Sequence, residues 1–567
     1  MSSENRAQAS TRGRLPRVLY PILWSLFIAL LVAGPWLLPG YIFGTDWPGP
    51  RRFMFPTEAT SSAPLEIVFA LGSGLVSGEV IGKVFVLGVL FIAPLTAFHA
   101  VPAAGFVPRA AGATVYALNP FVYGRLHYGQ LFLLAAYAVL PLAALSLRRL
   151  LMKPGPVPAS GAAIAAAITG MFSPHVFLMA ALLSAVLLVT HLGGLLRDKA
   201  RIRHVSWLMS AGGAALALSA YWIIPLITGR GNSGGFISAT GPAALTAYSA
   251  RPDSTLGLIP NLLALYGFWA EDVGRFTSMK AFVPGWPIGL VLLLLVCALG
   301  AAVTLRQRGN PLKPWVTGLL LAGAMALVLE MGVSQAQTAE IVTWLDAHFV
   351  LYRGMRDAGK WAALLALLYS QLAAVGASAI LSWARRAMSN PIRTEWAGGV
   401  AAALLLALPL YYGNGLLFGV HGEIKPSRYP AGWYAADRAL HSDGQSPRSL
   451  FLPWHEYMRY SFIENENKIV ASPAPSFFSV PVVASQDPEI PGIAPPNTPD
   501  QVAVSALVSA GAKGNWSSVL ASRGIKYVLV AKELDWGSYN YLDNEPGFVK
   551  AADFGTILLY RNIALPP

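Results

Sequence analysis

The sequence predicts a polytopic α-helical membrane protein with a small C-terminal α/β domain outside the membrane. The chain has 567 residues, of which 55% are hydrophobic and only 12% charged, and its mean hydropathy is +0.52; ordinary domains carry about a quarter charged residues. Apolar runs of about 20 residues recur, which is the length that a helix needs to cross ~30 Å of hydrocarbon. After about residue 420 these runs stop, and Pro, Ser, Asp and Asn become more frequent.

The membrane part is predicted to cover 18–420, after a cytoplasmic tail of residues 1–17. Its first apolar run is longer than a signal-peptide core and lacks a small-x-small cleavage site, so we expect a retained anchor. Pro174 separates two apolar runs and suits a tight turn between helices. About eleven spans are predicted, at 18–39, 80–98, 103–120, 131–148, 159–173, 175–196, 205–227, 286–305, 314–333, 361–383 and 396–418.

The distribution of basic residues predicts the orientation of these spans. With the N-terminus in the cytoplasm, every predicted inside segment is basic, as the positive-inside rule expects, and this also explains the formal charge of +13. The exoplasmic segments are then the loops 43–79, 229–285 and 334–360 and the tail 421–567. The basic residues assigned to the inside are Arg6, Arg12, Arg14, Arg17, Arg109, Arg148, Arg149, Lys153, Arg197, Lys199, Arg201, Arg203, Arg306, Arg308, Lys313, Arg385, Arg386 and Arg393.

The tail 421–567 is predicted to form a small α/β domain on the outer face. Three short segments rich in β-branched or aromatic residues predict strands, and two segments have helical spacing. Asn515 is expected to cap a further helix, and Gly524 to lie just past its end. The strand segments are 449–454, 524–533 and 555–562, and the helical segments are 433–442 and 499–514.

The first outer loop carries an acid beside the membrane. Asp46 precedes the rigid run Trp47-Pro48-Gly49-Pro50, and Arg51 and Arg52 follow. A carboxylate here is ionised at neutral pH and could accept a proton from an attacking hydroxyl as a general base. An Asx-type turn before a proline explains the same residue, and the spacing does not decide between the two interpretations.

Two further outer stretches collect cations. In "LNPFVYGRLHYGQ", Asn119-Pro120 ends a helix, and Arg125 is either a snorkelling residue or a phosphate ligand. His127 predicts no metal site, because no second histidine or carboxylate lies at ligand spacing. In "TAEIVTWLDAHFVLYRGMRDAGKW", apolar residues predict an interfacial amphipathic helix that Gly354 ends. Its apolar positions are Ile341, Trp344, Leu345, Phe349 and Tyr352.

Three cations, Arg353, Arg356 and Lys360, lie at the entry to the next predicted span. They suit an anionic lipid headgroup or a pyrophosphate, and equally suit snorkelling. The long loop 229–285 holds more charges, to which the sequence assigns no role. They are Arg230, Arg251, Asp253, Glu271, Asp272, Arg275 and Lys280.

Some motifs are absent from the sequence. It contains neither a GxxxxGKS phosphate loop nor a GxSxG elbow. The only cysteine, Cys297, lies in an apolar run, which argues against a thiolate metal cluster or a cysteine nucleophile. Because the predicted cytoplasmic loops are too short for a nucleotide-binding domain, chemistry at the outer face needs a donor already present there, such as a polyprenyl-phosphate sugar.

The order of these stretches resembles the GT-C class of membrane glycosyltransferases. An N-terminal helix precedes "GTD…RRFMFP", then "NPFVYGRLHYGQ", then "YRGMRDAGKW" at the start of a late helix. The pattern is similar to those of YfhO-type bacterial membrane proteins and of the large mycobacterial D-type arabinofuranosyltransferases. The tail "RGIKYVLV…DNEPGFVKAADFGTILLYRN" is similar to the end of YfhO-type proteins.

The resemblance implies a lipid-phosphate-linked sugar donor and an acidic catalytic base in the first outer loop. Asp46 takes the place of that base. Arg353 and Lys360, with Arg356 between them, take the place of the donor-phosphate ligands, and Arg125 matches the basic position after "NPF". Arg51, Arg52, Asn119 and His127 are candidate supporting residues.

The resemblance is incomplete in one respect, because many GT-C enzymes have paired acids in the first loop. Here the next acid after Asp46 is Glu58. We therefore expect no cofactor and no dedicated metal site, and the sequence leaves the use of a divalent cation open.

Three functions are compatible with these features. The first is an inverting glycosyltransferase on the outer face of a bacterial inner membrane, with an envelope glycan, lipid or protein as acceptor and membrane lipids, but no nucleic acid, as further partners. The second is a transporter or flippase for an anionic lipid-linked molecule, which would be expected to carry charges at mid-membrane depth. The third is a non-catalytic envelope assembly protein that docks partners through its tail.

Overall fold

The computed structural model describes residues 19–195, 200–231, 241–271, 274, 276–386, 390–444, 446–465 and 468–566. The predicted cytoplasmic tail 1–17 lies outside the described residues, as do Arg197, Lys199, Asp272 and Arg275. Within the described part, a long helical bundle is followed by a smaller domain built on a sheet, so the predicted fold class is confirmed.

The helical bundle contains most of the apolar residues. Nine helices within the described residues are long and apolar enough to cross a membrane. The helices of this part are α1 (Leu19–Leu37), α2 (Ala63–Gly72), α3 (Gly78–Ala100), α4 (Phe106–Ala117), α5 (Pro120–Tyr128), α6 (Leu131–Met152), α7 (Pro156–Phe172), α8 (Pro174–Leu195), α9 (Ala200–Ile227), α10 (Pro242–Ala247), α11 (Leu258–Leu263), α12 (Trp286–Arg306), α13 (Lys313–Met331), α14 (Ala336–His348), α15 (Val350–Arg353), α16 (Ala362–Arg386) and α17 (Pro391–Tyr412).

Two of the eleven predicted spans correspond to short helices. The prediction 103–120 falls on α4, which has 12 residues, and the prediction 159–173 falls on α7, which has 17. At ~1.5 Å per residue, α4 is only about 18 Å long. The chain breaks at Asn119, whose extended backbone caps the next helix: its side chain accepts a hydrogen bond from Val122 N.

The connections nevertheless require both short helices to link the two ends of the bundle. The helix α3 starts at the end that carries Asp46, because Gly78 N donates to Arg51 O at 3.0 Å. The chain is back at this end at Tyr128, whose carbonyl accepts from Asp46 N at 2.7 Å. Because α3 leads the chain away from this end, the segment from α4 to α5 must lead it back. In the same way α6 leads the chain away, and α7 leads it back to the start of α8, which lies at this end. The exact number of spans stays a prediction.

The predicted interfacial helix is divided. It consists of α14 and α15, with a break at Phe349, and Gly354 follows Arg353 as predicted. Ile341, Trp344 and Phe349 are about half exposed, but Tyr352 is buried. The apolar stripe therefore separates into exposed residues on α14 and at the break, and a buried residue, Tyr352, that packs in the bundle core.

The C-terminal domain is an α/β structure. A five-stranded sheet has the order β4-β1-β5-β7-β6, in which β1 is parallel to both neighbours and β7 is antiparallel to both of its neighbours. A separate antiparallel hairpin consists of β2 and β3. The strands are β1 (Arg448–Leu452), β2 (Tyr457–Arg459), β3 (Ile469–Ala471), β4 (Val482–Val483), β5 (Ile525–Ala531), β6 (Phe548–Asp553) and β7 (Ile557–Asn562).

Helices cover both faces of this sheet, and they lie close to where the spacing predicts them. Asn515 occupies the N-cap position of the predicted third helix, but within the described residues its side chain makes no capping hydrogen bond, since its backbone (φ −87°, ψ 71°) is not extended. Gly524 follows the helix at a positive φ of 67°. The helices are α18 (Ala431–His441), α19 (Ala474–Phe477), α20 (Pro499–Ala510) and α21 (Trp516–Ser522).

Candidate functional site

A cavity of about 600 Å³ opens at the end of the bundle that carries Asp46. Its walls come from the first loop, the start of α8, the end of α9 and the segment after α14. One part is polar and mostly cationic, and the other is apolar. We call it the cation cavity; its charged and polar lining includes Glu58, His175, Arg230, Arg353, Arg356 and Lys360, and its apolar lining includes Phe177, Leu178, Ala181, Leu216, Trp222, Pro225, Leu226 and Leu351.

The three cations that the sequence places after α14 all line this cavity. Arg353 Nε donates to Asp346 O at 2.9 Å, near the C-terminal end of α14, where unpaired carbonyls favour a cation. The guanidinium of Arg356 lies 4.8 Å from the ring centre of Tyr248. Lys360 Nζ lies 2.9 Å from His175 Nε2. The cations are thus fixed by contacts on one side and border empty space on the other.

Arg125 is not among the described residues that line the cation cavity, and it is paired with an acid. Both Arg125 and Asp357 are buried, with 1% and 4% of their surfaces exposed. The two side chains form a two-point ion pair, in which Arg125 Nη2 donates to Asp357 Oδ1 at 3.1 Å and Arg125 Nη1 binds the other carboxylate oxygen. The guanidinium also lies 4.1 Å from the ring centre of Phe268. Because its charge is already balanced, the predicted role of Arg125 as a phosphate ligand stays a prediction.

Asp46 is exposed at the tip of a two-residue turn. The turn is closed by hydrogen bonds between Gly44 and Trp47 in both directions, at 2.9 and 3.1 Å. It packs tightly on the loop after α5: a Cβ added at Gly44 would lie 2.5 Å from Gly129 Cα. Gly129 itself has a φ of +81°, which favours glycine. Glycine at both positions therefore lets the Asp46 turn approach the Arg125 segment.

A chain of hydrogen bonds joins Asp46 to the buried ion pair. Gln130 Nε2 donates to Asp46 Oδ2 at 3.3 Å, and Arg125 Nη1 donates to Gln130 Oε1 at 2.9 Å. On its other side, Asp46 Oδ1 accepts a hydrogen bond from the hydroxyl of Tyr457 at 3.0 Å. The carboxylate is therefore held between the bundle and the C-terminal domain.

Tyr248 is influenced by charges from both parts of the site, because Arg356 contacts its ring and the charge of Asp46 acts on its hydroxyl. Burial raises the pKa of Tyr248, the charge of Arg356 lowers it, and the charges of Asp46, Glu456 and Asp357 raise it. These groups therefore lie within electrostatic reach of one phenol, although Asp46 and Arg125 are outside the set of described residues that line the cavity. The site has two neighbouring parts, a cationic cavity and an exposed carboxylate.

Two of the four candidate supporting residues dock the C-terminal domain. Arg51 Nη1 donates to Asp437 Oδ2 at 2.6 Å, and its guanidinium lies 5.0 Å from the ring centre of Phe477. The backbone N of Arg52 donates to Ser476 O at 3.1 Å. Both contacts hold the first loop against the domain.

The other two candidate supporting residues are buried. Asn119 caps α5 and donates to Tyr116 O at 2.7 Å. His127 Nδ1 lies 2.7 Å from Lys468 Nζ of the C-terminal domain, and Glu423 Oε2 lies 3.7 Å from His127 Nε2. Burial, with the neighbouring charge of Lys468, lowers the pKa of His127. The four residues thus have structural contacts, and their predicted support of catalysis stays a prediction.

Several residues of the site carry no functional prediction from the sequence. Asp357 lies within the quoted stretch "YRGMRDAGKW", and an acid among three cations was a usable signal. His175 follows Pro174 at the start of α8. Its contact with Lys360 could not be predicted, because the two residues are 185 positions apart in the sequence. Tyr457 is 411 residues from Asp46 and gives no local signal. Within the described residues, no group of three or more His, Cys, Asp or Glu side chains could hold a metal ion.

Comparisons with known proteins identify the fold. No protein-family model matches the sequence, and no curated protein matches it. Two cryo-EM structures of the mycobacterial arabinofuranosyltransferase AftD, one of them of a mutant, match with a TM-score of 0.60 and 16% identity over 96% of this chain. A crystal structure of ArnT from Cupriavidus metallidurans bound to undecaprenyl phosphate matches with a TM-score of 0.47 and 12% identity, over 98% of this chain and 99% of that one.

The likeness to AftD concerns the fold. The chain spans about two fifths of the length of the AftD structures, 41% of one and 40% of the other. The match covers the bundle together with the C-terminal domain, since 96% of this chain is aligned. The chain has the fold of the GT-C-type membrane glycosyltransferases.

Proposed function

We propose that the protein is a membrane glycosyltransferase that transfers a sugar from a polyprenyl-phosphate-linked donor to a cell-envelope acceptor, on the exoplasmic face and with inversion at the anomeric carbon. The observation that carries this proposal is the cation cavity. A donor of this class combines an anionic phosphate with a long hydrocarbon chain, and the cavity offers cations and apolar walls in one space of about 600 Å³.

The cationic part of the cavity suits the phosphate. Arg353, Arg356 and Lys360 line it together with Arg230, and Glu58 is the only acid among the described lining residues. Guanidinium groups bind phosphate oxygens through charge-assisted hydrogen bonds, which are stronger than neutral ones. The positive charge would also stabilise the phosphate as it leaves the sugar.

The apolar part suits the hydrocarbon chain. A second cavity of about 290 Å³ lies between α6, α7, α8 and α9, and it is lined mainly by Leu and Ala. It shares Phe177, Ala181 and Leu216 with the cation cavity. A polyprenyl chain could therefore run from the cations into the interior of the helix bundle without leaving apolar surroundings.

The exposed carboxylate supplies the base in this proposal. The acceptor hydroxyl attacks the anomeric carbon, a new carbon–oxygen bond forms, and the bond between that carbon and the phosphate oxygen breaks. Asp46 takes the proton of the hydroxyl, and polyprenyl phosphate leaves toward Arg353, Arg356 and Lys360. Attack on the side opposite to the leaving phosphate inverts the configuration. Arg125, Asp357 and Gln130 position Asp46.

In this proposal the protein is a multi-pass protein of a bacterial inner membrane, with its N-terminus in the cytoplasm and the C-terminal domain outside. The basic residues of the predicted inside segments support the orientation. No cofactor takes part in the proposed step, and membrane lipids and the envelope acceptor are its other partners.

The proposal is tested by replacing the base. Purified protein in lipid nanodiscs is given a panel of polyprenyl-phosphate sugars and envelope acceptors, with and without a metal chelator. We expect transfer by the wild type and a loss of about 100-fold or more for Asp46→Asn, because a positioned general base contributes ~10²–10⁴-fold. The configuration of the product, read by NMR, tests inversion.

Asp553→Asn serves as the control, because Asp553 is an exposed acid of the C-terminal domain paired with Lys532. This variant should transfer at the wild-type rate. Wild-type activity in Asp46→Asn would remove the assigned base. Uptake or scrambling of the lipid-linked sugar without a covalent product would support the transporter instead, and binding of a partner through the tail without either activity would support the assembly protein.

A further inference from the structure

The hairpin of β2 and β3 belongs to the C-terminal domain but lies against the Asp46 turn. In its register Tyr457 is opposite Ala471. Ala471 N donates to Thr45 O at 2.8 Å, and Tyr457 donates through its hydroxyl to Asp46 at 3.0 Å. Ala471 and Tyr457, which face each other in the hairpin, therefore hold the two residues at the tip of the turn. Ala471 binds the backbone of Thr45, and Tyr457 binds the side chain of Asp46.

The hairpin is itself fixed to the bundle. Lys468 directly precedes β3, and its ammonium group donates to the carbonyl of His127, one residue before Tyr128. Tyr128 in turn accepts the hydrogen bond from the backbone N of Asp46. The hairpin, the loop after α5 and the Asp46 turn thus form one connected unit.

We propose that Tyr457 is a positioning residue that orients the carboxylate of Asp46 and favours its ionised form, so that the C-terminal domain completes the reaction site. This inference rests on the proposed function. A hydrogen bond to a carboxylate stabilises the charged state, which is the state of a general base. With Gln130 on the other oxygen, the carboxylate has a donor on each side.

Other charged and titratable groups also act on Asp46 from the surrounding elements. Lys360 just before α16, Lys468 beside β3 and Tyr248 after α10 interact with it electrostatically. Glu456 is next to Tyr457 in the chain, and Arg125 and Asp357 lie behind Gln130. All of these groups remain unchanged when only the hydroxyl of Tyr457 is removed.

The test compares Tyr457→Phe with Tyr560→Phe. Tyr560 lies on β7 of the same domain, and its hydroxyl also donates to a carboxylate, that of Asp543, at 2.9 Å. In the transfer assay Tyr457→Phe should lower kcat about tenfold with an unchanged KM for the donor, and should move the acidic limb of the pH–rate profile upward by about one pH unit. Tyr560→Phe should give the wild-type profile.

Each profile is normalised to its own maximum, so that partial unfolding reduces the amplitude without moving the limb. The double variant Asp46→Asn with Tyr457→Phe should be no slower than Asp46→Asn alone, because Tyr457 acts through Asp46. If Tyr457→Phe gives the wild-type profile while Asp46→Asn is inactive, the inference about Tyr457 is overturned and the proposed function stands. If Asp46→Asn is fully active, the assignment of the base fails first.

Discussion

At the scale of single residues, charges that are far apart in the sequence meet at the boundary between the bundle and the C-terminal domain. Lys468 is buried, with 2% of its surface exposed, and its ammonium group contacts His127. Burial lowers the pKa of Lys468 to about 7, although the charges of Glu423 and Asp46 favour the protonated form. A lysine with a lowered pKa costs stability while it is charged.

This cost gives a prediction with a definite sign. Between pH 7 and pH 10.5, Lys468 has lost its proton in the folded chain but keeps it in the unfolded chain. The unfolded state then binds more protons, so the free energy of unfolding rises with pH across this window. Melting of the wild type and of Lys468→Met is followed over these pH values, and we expect the wild type to gain stability relative to the variant as pH rises.

The control for the loss of a positive charge is Lys550→Met, because Lys550 is an exposed lysine of the same domain, paired with Asp543. A plot of its melting temperature against pH should run parallel to the plot for the wild type. If the plot for Lys468→Met also ran parallel to the plot for the wild type, the predicted effect of burial on Lys468 would be wrong.

The local sequence identified single charged residues of the site, but not their partners. Arg353, Arg356 and Lys360 were found because cations run against the sorting of basic residues to the inside. The partner of Arg125 could not be found in this way, because Asp357 is 232 residues away. Whether a cation is balanced by a buried acid or faces a cavity depends on the tertiary structure.

At the scale of helices, close packing depends on glycines that face each other. In α12, a Cβ at Gly300 would lie 2.2 Å from Leu372 O, and in α16 a Cβ at Gly376 would lie 2.0 Å from Val296 O. Both distances are shorter than any real contact, so even a methyl group would push the helices apart. Small residues allow such approach between helices in a membrane, where packing replaces the hydrophobic effect.

Gly376→Ala should therefore destabilise the bundle by about 1–3 kcal/mol, the usual cost of overpacking. The measurement is the melting temperature of the purified protein in one detergent. Gly88→Ala is the matched control, because Gly88 also lies in a long apolar helix, α3, but nothing lies within 4 Å of an added Cβ. An equal melting temperature for Gly376→Ala and Gly88→Ala would contradict the close contact.

Hydropathy located the long helices well and the short ones less well. A run of apolar residues shows that a segment is buried in lipid or protein, but not how long the helix is. The stretch predicted as 103–120 contains only the 12-residue α4, and Asn119 begins a new helix because its side chain caps it. The capping residue was visible in the sequence as the Asn119-Pro120 pair, and it was correctly taken as a helix end.

At the scale of the whole molecule, the cation cavity depends on segments that are far apart along the chain. Glu58 comes from the first loop, His175 from α8, Arg230 from the segment just after α9 and Arg353 from the end of α15. Sequence patterns identify such segments one at a time, because the patterns are local. Their common cavity follows only from the order in which the helices pack.

The last prediction concerns the orientation of the whole chain. Cys297 is the only cysteine of the sequence, and it is buried. In a Cys297→Ala background, single cysteines are introduced at exposed sites on the two predicted sides: Ser538→Cys in the C-terminal domain and Gln307→Cys between α12 and α13. Because the loop at Gln307 carries Arg306 and Arg308, the positive-inside rule places it in the cytoplasm.

A membrane-impermeant maleimide should label Ser538→Cys in spheroplasts and Gln307→Cys only after permeabilisation. The opposite pattern would place Asp46 and the cation cavity on the cytoplasmic side, away from an exoplasmic donor, and would contradict the proposed function together with the orientation.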